Sequence, residues 1–217
     1  KKHKTIPGYC FSIIAVLLFS CNTPDFSTEI IEVAKLTQAQ SVELESTNKN
    51  GGTINLTIEE PKFEVSDSEI LSRSVYAFYL SMSEKEKQDY NQLKFSLTKN
   101  GKKTTEKFTI DELRAINNHI VTIVKIHKNI DTNYIRQNMS PIYIPDSALP
   151  QVIEVLENLK QKGELNNFNL SDFSKTKIPE LQDQGEVVKG SFNYGSYSTS
   201  VKYIFSSKNG KIVFIQI

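Results

Sequence analysis

The run from Lys1 to Cys21, KKHKTIPGYCFSIIAVLLFSC, constrains this chain more than any other stretch. Three lysines near its start precede an apolar core from Phe11 to Phe19, and Ser20 then sets a small residue directly before a cysteine, which is the order of an export signal. The core is too short to cross a bilayer, which takes about 20 apolar residues, and Pro7-Gly8 breaks the segment ahead of it. Cys10 and Cys21 are the two cysteines of the sequence. With the signal cut before Cys21, Cys10 leaves, and no disulfide can form within the body. The fold then has to be held by its apolar core, even in an oxidising compartment.

The segment Leu18-Phe19-Ser20-Cys21 resembles the lipobox of bacterial lipoproteins, with Phe19 where smaller residues are common. The resemblance implies a signal peptide over 1–20, a diacylglyceryl thioether on Cys21, an acyl (palmitate-type) chain on its new amino terminus, and a lipidated tether over 21–27. Two or three acyl chains hold a protein to a membrane effectively permanently. Asn22, not aspartate, follows the cysteine, which by the sorting rules of that family points to the outer membrane. No dense acidic run follows, which favours the face toward the periplasm.

Removing three lysines and no acid takes the formal charge from +1 to −2. A mildly acidic body with interspersed signs carries no footprint for nucleic acid. The lipobox resemblance makes the membrane one partner, an envelope protein or a small apolar ligand is the other candidate, and no cofactor and no metal are expected.

Periodicity divides the body into two α+β units, 28–108 and 109–217. In the first, Ile30 to Leu36 has near-helical spacing, and two alternating runs (Val42, Leu44 and Ile54, Leu56, Ile58) flank Asn50-Gly51-Gly52 as a hairpin. Ser66 and Glu69 then form a capping box before Ile70, Leu71, Val75, Phe78 and Tyr79, which recur at helical spacing. SEKEKQDY extends or follows that helix as a solvated face. A second hairpin places Leu93, Phe95 and Leu97 before Asn100-Gly101.

The second unit opens with a capping box, Thr109 and Glu112, on a helix whose stripe holds Leu113, Ile116, Ile120, Ile123, Val124 and His127. Asp131 caps a short continuation, Pro141 and Pro145 interrupt it, and a further helix from Asp146 or Ser147 ends at Gly163 in the C′ role. The period then switches to that of strands. Phe192 and Tyr194 lead to Gly195-Ser196, Val201, Tyr203 and Phe205 lead to Asn209-Gly210, and the closing strand, apolar from Ile212 to Ile215, is expected to be buried on both faces.

Helices followed by an antiparallel meander predict an α+β fold with helices packed on antiparallel sheets. A single domain whose hairpins all join one sheet is the rival organisation. The segments SALPQVIEVLENLKQKGELNNF and VKYIFSSKNGKIVFIQI resemble the NTF2-like (cystatin-like) domains at the C-terminus of many bacterial lipoproteins. The resemblance covers about half the chain and carries no catalytic motif. It implies a sheet curled into a cone that can hold a small apolar ligand, an active site or a partner, which Tyr194, Tyr203, Phe205 and Phe214 would line, although aromatics alternating on strands more often form ordinary core.

Chemistry finds little footing. His119 and His127 are eight residues apart, about 12 Å along a helix, and cannot share a zinc whose nitrogen ligands sit about 2 Å away. His127, on the apolar stripe, reads as a hydrogen-bonded, partly buried histidine. Glu154 and Glu157 share a helix face, and neither has an acid-base partner. The expected function is a membrane-anchored, non-catalytic binding or protein-interaction module. The alternative is a small-molecule carrier or a cryptic hydrolase or isomerase using the cone, and a buried acid or histidine facing a tyrosine in a pocket would favour the enzyme. Tyr194 and Tyr197, flanking the Gly195-Ser196 turn, are the residues expected to stay exposed for partner contact.

Overall fold

A computed structural model describes residues 26–47, 52–178 and 183–217. The signal, Cys21, tether residues 22–25 and most of the Asn50-Gly51-Gly52 turn lie outside the described residues. Phe26, at the far end of the expected polar tether, is core: its ring packs 5.6 Å from both Phe78 and Tyr90. The tether therefore ends before Phe26, and α1 (Ser27–Thr37) starts directly after it.

In the first half, β1 (Ser41–Thr47) and β2 (Gly52–Glu59) form the expected hairpin. Then α2 (Asp67–Ser81) is capped by Ser66, whose hydroxyl accepts from the Glu69 N–H. SEKEKQDY follows α2 as a separate helix, α3 (Glu84–Asp89), because Ser83 and Glu86 close a capping box of their own. β3 (Tyr90–Lys99) and β4 (Lys102–Thr109) complete a sheet in the order β1-β2-β3-β4. Its central pair runs parallel, since a helical crossover and not a tight turn joins β2 to β3. Ile54, Leu56 and Ile58 lie beside Leu93, Phe95 and Leu97, all essentially fully buried. Each such side chain contributes about 1.5–3 kcal/mol on burial, and α2 covers that face, with Phe78 edge-on to Phe95.

In the second half, α4 (Ile110–Asn129) opens with the Thr109–Glu112 capping box. α5 (Thr132–Asn138) is capped by Asp131. A 3-10 turn over Asp146–Ala148 leads into α6 (Leu149–Lys160), with Pro150 in its first turn. A purely antiparallel meander of β5 (Leu165–Ile178), β6 (Asp183–Tyr194), β7 (Tyr197–Ser206) and β8 (Ile212–Gln216) closes the chain.

The fold is α+β, with the hairpins in two separate four-stranded sheets and not in one. α2 packs against β5 as well as β3, and α4 touches strands of both sheets, so one continuous apolar cluster runs through the two halves. Ser72 on α2 donates to Asp172 on β5 at 2.9 Å, and Lys175 on β5 donates to Glu112 on α4. No helix among the described residues is long and apolar enough to cross a membrane.

Two further expectations change. β8 is an edge strand, not one buried on both faces along its length: Ile212 and Val213 are buried, but Phe214 pairs beside Ile204 on the face away from α4 and is 42% exposed. Gly163 is not the C′ residue of α6, whose C-cap is Gln161 in a right-handed conformation. It is required by a close approach, because a Cβ there would lie 2.9 Å from the Gly195 nitrogen in the β6–β7 turn.

Candidate functional site

Alternation along β6 and β7 turns Phe192, Tyr194, Tyr203 and Phe205 toward α4, and all four are buried. His127 meets them from the last turns of the helix. Its ring stacks on Phe192 at 3.9 Å, Nδ1 lies 2.6 Å from the Tyr194 hydroxyl, and Nε2 lies 2.6 Å from the Tyr203 hydroxyl. Burial pushes the imidazole down to about 3, so it is neutral at physiological pH, and burial pushes the Tyr194 phenol up to about 12 and that of Tyr203 further. A neutral imidazole has one donor and one acceptor. One phenol therefore donates to the ring and the other accepts from it, and both nitrogens are spent within the core.

Two turns earlier on α4 the pattern recurs. The His119 ring stacks on Phe205 at 3.9 Å, and its Nε2 lies 2.6 Å from the Glu186 carboxylate on β6. The helix is thus fastened to the sheet at two places. Each fastening is an imidazole lying on a phenylalanine and hydrogen-bonded to a strand. Among the described residues no group of three or more His, Cys, Asp or Glu side chains is placed to hold a metal.

This arrangement redistributes the aromatic candidates. Tyr203 and Phe205 are core against α4. Tyr194, expected to be exposed, is 1% exposed because its hydroxyl reaches His127, whereas Tyr197 across the same turn is 43% exposed. Phe214 is on the opposite face beneath the Lys202 ammonium and lines no site with the others. The hydrogen-bonded, buried character of His127 matches the sequence expectation. Glu186 and the two stacking contacts were not foreseen.

An open concavity lies elsewhere, between α5, the start of α6 and the start of β8. It has a volume of about 280 Å³. Met139, Pro141, Ile144, Pro145 and Leu149 give it apolar walls, and Arg136, Lys211 and Asp146 supply charge. Local rules fix its shape. Met139 leaves α5 in an extended conformation and bridges to Ile212, and the Ser140 N–H donates to the Ile212 carbonyl at 2.8 Å. The Tyr143 and Ile144 N–H groups then return to the Ser140 carbonyl, which closes a turn between the two prolines. Lys211 donates to the Gln137 carbonyl, and Arg136 Nε stands 3.5 Å from Asp146. Ile142, within the same turn, is 77% exposed.

Sequence reasoning took Pro141 and Pro145 only as helix breakers and did not single out Arg136 or Lys211. The available signal was the PIYIP run itself, an apolar loop stiffened at both ends just after a helix that ends with Arg136 in its last turn. Comparison with protein-family models, with curated proteins and with solved structures finds no significant match to this chain.

Proposed function

We propose that this chain is a lipid-anchored protein of the bacterial envelope that works by binding, without catalysis of its own, and that the cleft between α5, α6 and β8 is its binding site. The observation that carries the reading is that both nitrogens of His127 are held by tyrosine hydroxyls inside the core. A base must reach the proton it abstracts. The reading is further supported by the cleft, which combines apolar walls with a few charged groups, the usual constitution of a small-ligand site. A carrier or hydrolase acting from a cone under α4 would require His127 and Tyr203 to part.

The anchor is Cys21, and the location is the outer membrane facing the periplasm, on the strength of the lipobox and of Asn22 after it. The C-terminal half is taken as NTF2-like, a reading supported by its order of helices and then a four-stranded meander. Since Phe26 is docked in the core, at most five residue steps separate it from Cys21, about 18 Å at full extension. The body would rest against the lipid surface.

Fractionation tests the anchor. The wild-type chain is expected in the membrane pellet carrying the mass of its acyl groups, and Cys21→Ser is expected to lose both. Unchanged pelleting of the variant would overturn the lipoprotein reading.

A further inference from the structure

We infer that the cleft takes a small monoanionic carboxylate with an apolar body. This rests on the reading of the cleft as a binding site and adds the class of ligand. The volume, about 280 Å³, falls just under the roughly 300–1,000 Å³ usual for ligand pockets, so the occupant is small. Five of the lining residues are apolar, which calls for an aliphatic or aromatic body and not a sugar or a polyol.

Charge selects the head group. Arg136 and Lys211 outnumber Asp146, leaving the rim one positive charge in excess, which suits a monoanion. A phosphate dianion would exceed that single excess charge and be repelled by the Asp146 carboxylate more strongly than a monoanion is. Arg136 is the natural recognition group, because a planar guanidinium meets a carboxylate with two parallel hydrogen bonds. Its own ion pair with Asp146 is loose, 3.5 Å apart with both side chains more than half exposed, so a ligand can displace Asp146 at small cost. The site is also preformed: the Met139–Ile212 bridge and the Lys211 bond to Gln137 tie the walls together, leaving little ordering to be done on binding.

The chain carries a built-in control, since its two methionines are Met139 in the cleft wall and Met82 buried beside α2. With the full chain held in nanodiscs and its methionine methyls labelled with carbon-13, hexanoate should move the Met139 signal saturably, in the millimolar range expected for so small a ligand. Met82 should stay in place. Hexanol, hexylamine and inorganic phosphate should bind at least about tenfold more weakly, and the double variant Arg136→Gln, Lys211→Gln should lose hexanoate by a similar factor. Gly-Gly-Leu as free acid and as amide separates the two sources of such a head group. Preference for the acid peptide over hexanoate would assign a chain-terminal carboxylate, and the reverse a free carboxylic acid. If hexanol and hexylamine match hexanoate at Met139, the cleft stands as a binding site and the carboxylate class is overturned. If no probe moves Met139, or if Met82 moves with it, the cleft itself is overturned, while the anchor is still judged separately by fractionation.

Discussion

The Tyr203 hydroxyl lies 2.6 Å from His127 Nε2 with both residues buried, so an imidazole is held neutral deep between a helix and a sheet. Unfolded, His127 takes a proton below about 6.5; folded, burial delays that to about 3. Between those values the unfolded chain binds more protons, and stability falls as pH falls. From pH 7 to pH 5 the loss from this residue is about 2 kcal/mol. Urea melts over that interval should show the slope, and His127→Gln should flatten it while being less stable at pH 7. An identical slope in the variant would show that His127 is not its source.

Removing either phenol leaves a buried ring nitrogen without its partner. Tyr203→Phe and Tyr194→Phe should each cost about 1–3 kcal/mol. Because both act on one imidazole, their effects should not add. A double variant whose destabilisation equals the sum of the singles would argue against a shared network.

Gly190 on β6 has no room for a side chain. A Cβ there would stand 2.4 Å from the Phe168 ring and 2.6 Å from the Asn169 carbonyl. Gly190→Ala should destabilise by about 1–3 kcal/mol. Adding Phe168→Leu should recover only part of this, since the carbonyl is backbone and stays. An unchanged melting temperature for Gly190→Ala would contradict the close packing of β5 on β6.

The continuous core bears on the boundary at Thr109. Phe173 on β5 packs against Phe108, which belongs to the preceding half, at 5.5 Å between ring centres. A fragment spanning Thr109–Ile217 should therefore melt well below the full chain. Equal melting temperatures would make the two halves independent domains.

Local signals were the legible part of this fold. N-caps at Ser66, Thr109 and Asp131 placed helix starts because they depend on side chains within three residues of the backbone they serve. Strand alternation likewise identified Ile54, Leu56, Ile58 and Tyr203 as one-faced. What sequence could not supply was position in the sheet: a central strand and an edge strand can carry the same apolar run, and Ile212–Ile215 was misread for that reason. Tyr194 was misjudged because its exposure depends on a partner 67 residues away on α4. The cleft was missed because Arg136 and Lys211 are brought together by the Met139–Ile212 bridge and the hydrogen bonds beside it, long-range contacts with no periodic signature.

The central claim is that the polar centre around His127 holds the fold while ligand binding occurs in the separate cleft. Repeating the Met139 methyl titration with hexanoate in His127→Gln, at a temperature where the variant remains folded, tests it most directly. The account predicts a lowered melting temperature with hexanoate affinity unchanged within about twofold. Loss of hexanoate binding in folded His127→Gln, with binding retained in Arg136→Gln, Lys211→Gln, would contradict it.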